Sequence, residues 1–282
     1  MPITSEGTCL VLGGGGVAGI AWMTGVLTGL AEAGQDVTEA DLMIGTSAGA
    51  TVVAQLGSGL PLQALLERQT EPSLQSKEIS AQLDLEKFAA ELGLVLAGAA
   101  SGEEMMRRLG AFALAADTVP EADRMAVIES RLPVHDWPER NIQAVAVEAG
   151  TGETRLFDRR SGVDLVSAVA ASCAVPGIWP AVTIDGRRYV DGGVRSSHNA
   201  DLASGFARIV VLAPMGFHPP LLSDRPLADA VDQLRRGGSD VTVIVPDPNS
   251  AGAIGSNPLD PDTRTPAAEA GRKQGRRGLD RD

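Results

Sequence analysis

Short apolar runs alternate with stretches of helical spacing along most of this chain. Short, mainly apolar runs at residues 8–12, 209–212 and 241–245 predict buried strands, and the segment 36–44 predicts a short connection followed by another strand. The small-residue apolar segments after the first two strands predict helices, one ending near Ala33 and one near Leu56. Buried strands that alternate with helices favour an α/β fold.

The middle of the chain has two hairpin patterns and one short helix. Strands are predicted at 141–148 and 154–157 around a glycine turn, and at 182–184 and 188–190 around Asp185-Gly186-Arg187. The segment 164–171 between the hairpins predicts a helix that ends before Pro176.

Residues 62–132 have a different texture, with apolar positions three and four apart. Examples are Leu85, Phe88, Leu92 and Leu96, followed by Met105, Leu109, Phe112 and Ala116. This spacing predicts a helical insertion between sheet elements. The insertion is either a cap that offers an apolar surface to acyl chains or ordinary helical packing.

Composition and charge narrow the possible partners. The chain has 282 residues, 44% of them hydrophobic but only 3% aromatic, so its core must consist mainly of aliphatic side chains. The formal net charge of -12 argues against a nucleic-acid partner and against attraction to anionic membranes, so any lipid contact is expected to be apolar and transient. Two distant cysteines, Cys9 and Cys173, indicate reduced core thiols, and residues 1–7 lack a signal peptide's basic region, so a cytoplasmic location is expected.

The first candidate site is Gly45-Thr46-Ser47-Ala48-Gly49, which follows an apolar run and precedes a small-residue segment. A serine with glycines two residues away on each side is typical of a nucleophile elbow between a strand and a helix. Glycines are needed because side chains at Gly45 and Gly49 would clash in so tight a turn.

The second candidate site is the glycine-rich loop that follows the strand at residues 8–12. The order of strand, glycine loop 13–19 and helix predicts a backbone anion site. Its ligand could be a dinucleotide pyrophosphate, a nucleotide phosphate or a developing oxyanion. The pattern of Gly14, Gly16 and Gly19 matches a dinucleotide fingerprint, but the serine elbow stands where the acidic ribose contact is expected.

A serine nucleophile needs a base. The three histidines, His135, His198 and His218, all lie in loops, and none has an obvious place at a strand end. Asp191 is the stronger candidate, because it ends a predicted strand and Gly192-Gly193 let the backbone turn away. Strand ends meet in one crevice of an α/β sheet, so Asp191 could approach Ser47, although a simple turn aspartate fits the same pattern.

These three motifs in this order resemble the patatin-like phospholipase family. The resemblance covers residues 8–215 and includes the segment Ala171 to Pro176, which is similar to a helix-ending Ser-x-x-x-Pro sequence of that family. It implies a three-layer α/β/α sandwich with a mostly parallel central sheet. The catalytic domain would span 1–250, with a helical cap at about 62–132 and a C-terminal segment, 251–282, that is helical from Pro266 to Gly271 and frayed at its end.

The resemblance also implies a Ser-Asp dyad that works without histidine. Carried over, Ser47 is the nucleophile, Asp191 is the general base, and the N–H groups of Gly14, Gly15 and Gly16 form the oxyanion hole. The implied activity is hydrolysis of a lipid or small ester through an acyl-enzyme, with no metal and no cofactor.

Two departures from the family pattern affect this interpretation. Ala18 stands where the family often has Arg or Lys, so a cation beside the oxyanion is missing. The residues after Gly193 lack the usual proline, although Asn199 could hold that loop. A nucleotide-binding α/β protein and a catalytically silent lipid-binding module of the same family are the alternatives.

Overall fold

The computed structural model describes residues 6–80, 85–217 and 225–279, which form one mixed α/β unit. The strands are β1 Thr8–Leu12, β2 Leu42–Thr46, β3 Ile142–Glu148, β4 Thr154–Phe157, β5 Val182–Ile184, β6 Arg187–Asp191, β7 Arg208–Leu212 and β8 Asp240–Ile244. The helices are α1 Gly16–Glu32, α2 Ala48–Gly57, α3 Leu62–Thr70, α4 Leu85–Leu96, α5 Gly102–Ala115, α6 Glu121–Arg131, α7 Leu165–Ser172, α8 Leu227–Arg236, α9 Pro248–Ile254 and α10 Arg264–Gly275.

The eight strands form a single sheet in the order β5-β6-β3-β2-β1-β7-β8, with β4 also paired to β3. The contacts of β1 with β2 and β7, of β2 with β3 and of β7 with β8 are parallel. The two predicted hairpins are antiparallel pairs, β3 with β4 and β5 with β6. The predicted α/β class and mostly parallel sheet are confirmed, with antiparallel strands at one side.

Helices cover both faces of this sheet, as the α/β/α prediction requires. Alternate β3 residues point to opposite faces, because side chains of a strand alternate. Ala144 and Ala146 belong to the core formed with α1, α2, α7 and α10. Val145 faces the core beneath α8, and Val147 faces a smaller cluster with α4 and α5.

The helical insertion 62–132 exists as predicted but does not form a single cap. Leu65 and Leu66 of α3 and Ile128 of α6 pack in the core with α1 and α2. The helices α4 and α5 instead pack on the other face, through Leu92 and Leu109. The insertion therefore divides between both faces, and most of its apolar spacing reflects ordinary packing against the sheet.

The C-terminal helix is longer than predicted and packs on α1. It extends beyond the predicted 266–271 to Arg264–Gly275 and lies along α1. The two helices approach closely because α10 has glycines where it meets α1. A Cβ at Gly271 would collide with the carbonyl oxygen of Trp22, and one at Gly275 would collide with that of Val26. Residues 280–282, at the predicted frayed end, lie outside the described part.

Within the described residues, no helix has both the length and the apolar character needed to cross a membrane.

We expect Gly271→Ala to lower the free energy of unfolding by about 1–3 kcal/mol, because the added methyl group must push α10 away from the main chain of α1. Gly93→Ala is the matched control, since Gly93 is also inside a helix but a Cβ there meets nothing within 4 Å. That control is expected to be neutral or stabilising. Denaturant unfolding of both variants measures the difference, and equal stabilities would contradict the described α1–α10 packing.

Candidate active site

Ser47 occupies a strained turn between β2 and α2. Its backbone has φ 53° and ψ -114°, a conformation that costs free energy for a residue with a side chain. The turn places Ser47 directly before the first residue of α2, as the elbow motif predicts.

The two flanking glycines allow this turn by removing side chains where backbones meet. A Cβ at Gly45 would lie 2.5 Å from the nitrogen of Ala50, and one at Gly49 would collide with the carbonyl oxygen of Leu12. The Gly49 N–H also donates a 3.1 Å hydrogen bond to the carbonyl of Gly13. The elbow is therefore hydrogen-bonded to the glycine loop after β1.

Strand register brings Asp191 beside the elbow. Val145 of β3 is paired with Thr46, and the next residue, Ala146, is paired with Asp191. Asp191 thus lies beside the place where the chain leaves β2 and turns at Ser47. Two residues 144 positions apart in the sequence meet because β3 pairs with both of their strands.

The carboxylate of Asp191 is buried, with 2% of the residue exposed. Its Oδ1 accepts a 2.7 Å hydrogen bond from the Gly193 N–H, whereas Oδ2 has no hydrogen-bond partner among the described residues. Burial raises the pKa of Asp191 from 3.8 to about 6, while the nearby Ser47 hydroxyl, the Gly193 N–H and the charge of Arg124 act in the opposite direction. A buried carboxylate with one unsatisfied oxygen is prepared to accept a proton.

The end of α7 fixes the backbone on both sides of Ser47. The hydroxyl of Ser172 accepts a 2.9 Å hydrogen bond from the Ser47 N–H, and the thiol of Cys173 donates one of 3.2 Å to the Ser47 carbonyl. The carbonyl of Ala174 accepts a 2.9 Å bond from the Asp191 N–H. Sequence analysis noted this segment only as a motif before Pro176 and did not predict contacts to both residues.

The glycine loop faces Ser47, but Gly14 is not a free donor. Its N–H, one of the three predicted oxyanion donors, donates a 2.8 Å hydrogen bond to the Ser197 carbonyl in this structure. A Cβ at Gly14 would lie 3.6 Å from the Ser47 Cβ, which shows that Gly14 shapes the wall beside the serine.

Three other N–H groups remain as donors near the serine. Among the described residues, no acceptor faces the N–H of Gly15 or Gly16, the two other predicted donors. The N–H of Ala48, at the start of α2, is equally without an acceptor in the described part. Sequence analysis missed Ala48, although the residue after an elbow nucleophile commonly supplies a donor.

The loop after Asp191 is held by Asn199. This buried residue adopts a left-handed conformation with φ 51°, which asparagine tolerates better than most residues. Its Nδ2 has three acceptors within 3.1 Å, namely the hydroxyl of Thr46 and the carbonyls of Gly192 and Ser196. Asn199 therefore ties the Asp191 loop to the strand that carries the elbow, as expected for a loop without the usual proline.

The described histidines do not form a dyad with Ser47. His198 is buried against the glycine loop, where a Cβ at Gly13 would lie 2.6 Å from its ring, and burial lowers its pKa to about 4. His135 is exposed, and its ring contacts Glu129 of α6. His218 lies outside the described residues. In the described part of the chain, no group of three or more His, Cys, Asp or Glu side chains could hold a metal ion.

Comparisons with known proteins show what this chain is similar to. A family model described as patatin-like phospholipase matches residues 10–204. A search of curated proteins finds no match. Solved structures with a similar fold include VipD from Legionella pneumophila (14% identity, TM-score 0.47) and the type III effector ExoU (17% identity, TM-score 0.42). The alignments cover 96% of this chain but 66% of VipD and 52% of ExoU. ExoU is also known in complex with SpcU from Pseudomonas aeruginosa, at 17% identity, 95% and 53% coverage and a TM-score of 0.39.

Asp191→Asn is expected to stabilise the protein in a pH-dependent way. The pKa of Asp191 is about 6 in the folded state against 3.8 for a free side chain, so ionisation costs the folded state about 3 kcal/mol above pH 7. The cost falls as the pH drops below 6, is small at pH 4 and disappears at lower pH, where the carboxyl is neutral in both states.

Denaturant unfolding at pH 4 and pH 8 measures this effect. Asp232→Asn is the matched control, because Asp232 is exposed on α8 and should change stability little at either pH. An Asp191→Asn variant that is no more stable than the natural chain at pH 8 would contradict the described burial of the carboxylate.

Proposed function

The chain belongs to the patatin-like phospholipase family, and we propose that it is a serine hydrolase that cleaves carboxylic ester bonds of lipids through a Ser47–Asp191 dyad. The observation that carries the proposal is the pairing of a strained serine with a buried carboxylate, one oxygen of which has no hydrogen-bond partner among the described residues. Membership of the family supports a lipid hydrolase; the dyad, the oxyanion donors and the ester bond are our inference.

In the proposed reaction, Asp191 accepts the proton of the Ser47 hydroxyl as the serine oxygen attacks the ester carbonyl. The carbonyl oxygen becomes an oxyanion that receives hydrogen bonds from the N–H groups of Gly15, Gly16 and Ala48. Asp191 then returns the proton to the departing alcohol. Water, deprotonated by Asp191, attacks the acyl-serine, and the proton returns to Ser47 as the free acid leaves.

The environment of Asp191 suits a base that works near neutral pH. A pKa of about 6 leaves the carboxylate ionised at pH 7 yet more basic than an ordinary aspartate. Direct proton transfer from serine needs such a base, since no histidine mediates it in the described site. Apo enzymes often show long contacts between base and nucleophile that tighten when substrate binds.

The contacts of the glycine loop argue against the nucleotide-binding alternative. The N–H groups of Gly13 and Gly14 are occupied by backbone carbonyls, and the Ala18 N–H donates to the Pro258 carbonyl at 3.0 Å. Pro258 and Leu259 also cover Gly16, where a Cβ would lie within 3 Å of both. These contacts leave little room for a phosphate group at the start of α1, and the donors that remain face the elbow.

A lipid substrate would fit an exposed apolar segment beside the glycine loop. Pro214 packs on the glycine loop, so closely that a Cβ at Gly15 would lie 2.6 Å from the Pro214 side chain. Met215 and Phe217 follow directly and are 45% and 55% exposed. We assign these two side chains to the transient, apolar contact with lipid that the net charge of the chain leads us to expect.

Ser47→Ala and Asp191→Asn test the dyad. We expect each variant to lose at least roughly a thousandfold in hydrolysis of a p-nitrophenyl ester, because nucleophile and base act as one unit. A fluorophosphonate should label the natural chain at Ser47 and label Asp191→Asn far more slowly.

Ser58→Ala is the control for a serine in the same region, since Ser58 follows the opposite end of α2. It should retain normal turnover and labelling. Turnover that survives in Ser47→Ala would refute the proposed mechanism, and a natural chain that is neither labelled nor active would favour the silent lipid-binding module.

Phe217→Ser tests the apolar segment. We expect hydrolysis of a long-chain ester in neutral phosphatidylcholine vesicles to fall several-fold, because an apolar side chain is lost from the lipid contact. Hydrolysis of a short soluble ester should stay unchanged. Leu94→Ser is the control, since Leu94 is 79% exposed on α4. Equal effects of both substitutions, or stronger vesicle binding with anionic lipid at low salt, would contradict the assignment.

A further inference from the structure

Behind the elbow lies a buried cluster of charged side chains that the proposed reaction does not use. Glu78 accepts hydrogen bonds from Arg131 at 2.6 and 3.0 Å and from Arg264 at 2.6 Å, and Arg124 lies 3.8 Å from the same carboxylate. All four side chains are at most 6% exposed. One carboxylate therefore faces three guanidinium groups, which leaves excess positive charge in the interior.

Arg124 is the arginine that Glu78 neutralises least. Its Nε and Nη1 have no hydrogen-bond partner in the described part of the chain, and its guanidinium stacks over the Trp179 ring at 3.9 Å from the centroid. Burial, with repulsion from Arg131, lowers the pKa of Arg124 to about 10, so the side chain stays charged at neutral pH. A cation buried with so little compensation acts on neighbouring charges over a longer range than one in water.

The turn after α7 connects this cation to both residues of the dyad. Trp179, on which Arg124 stacks, closes the turn with a 2.9 Å bond from its N–H to the Val175 carbonyl. Cys173, which begins the same turn, holds Ser47, and Ala174 holds the Asp191 N–H. The attraction is mutual: Arg124 lowers the pKa of Asp191, and Asp191 raises the pKa of Arg124.

Few other ionisable groups surround Asp191. Cys173 directly follows α7, and burial raises the pKa of its thiol, so it is neutral. His198, on the loop that follows Asp191, is neutral at pH 7 because burial lowers its pKa. The β3 residues that pair with Asp191 and its neighbour, Ala146 and Val147, carry no charge. Arg195, on the same loop as His198, is paired with Asp201. Among the described residues, Arg124 is a charged side chain that favours an ionised Asp191.

We propose that Arg124, stacked on Trp179 and only partly neutralised by Glu78, is a positioning residue whose charge keeps the base Asp191 ionised at neutral pH. The proposal rests on the proposed function. It also explains how the site works with Ala18 in place of a cation on the glycine loop, since positive charge reaches the dyad from the opposite side of the elbow.

Arg124→Met tests the proposal, because methionine can still cover Trp179 but carries no charge. We expect the acid limb of kcat/KM for a p-nitrophenyl ester, near pH 6 in the natural chain, to move up by about one pH unit. Activity at pH 9 should stay within about threefold. Glu78→Gln should move the same limb down, because it removes the anion that offsets Arg124.

Arg159→Met is the matched control, since Arg159 pairs with the exposed Glu139 outside the cluster and should leave the limb unmoved. The proposal is overturned if Arg124→Met folds and is active but its acid limb does not move. It is also overturned if the acid limb of Glu78→Gln moves up. If Arg124→Met does not fold, the Glu78→Gln variant decides. Absence of fluorophosphonate labelling in the natural chain would instead overturn the proposed function.

Discussion

The structure of the site depends on the contacts that hold the backbone of Ser47 in its strained turn. The serine keeps an unfavourable conformation because Gly49 lets α2 touch the end of β1, while Ser172 and Cys173 bind the N–H and carbonyl of Ser47 itself. These contacts come from the end of β1 and from the end of α7, so the turn is held from two sides. Strain at a functional residue survives only where the surrounding fold fixes it from several directions.

The burial that raises the pKa of Asp191, the proposed base, also weakens the fold. Asp191 is enclosed by β3, the α7 turn and the loop tied down by Asn199, and its desolvation is only partly offset by the Gly193 N–H and Arg124. An arginine on α6 that is itself short of partners offsets some of the cost of the buried carboxylate. The interior thus carries two opposite charges that compensate each other at a distance, which is common near functional sites and rare elsewhere.

Features that depend on residues close together in the sequence were predictable, whereas features that depend on contacts between residues far apart in the sequence were not. The strand at residues 8–12 was found as Thr8–Leu12, and the elbow follows from glycines within two residues of Ser47. By contrast, the loss of the Gly14 N–H to Ser197 and the charge cluster of Glu78 join residues more than 40 positions apart. The apolar spacing of 62–132 predicted helices correctly but not which face each helix covers, because periodicity carries no information on the partner.

The C-terminal segment shows how such distant contacts complete the site. The carbonyl of Pro258 accepts a hydrogen bond from the N–H of Ala18, and Pro258 also covers Gly16, so this segment packs on the first turn of α1. Arg264, at the start of α10, joins the Glu78 cluster that reaches toward Asp191 from the other side. Residues beyond 250 therefore contact both the glycine loop and the charged cluster around Glu78. A division of the chain at residue 250 would separate the proposed catalytic groups from the contacts that hold them in place.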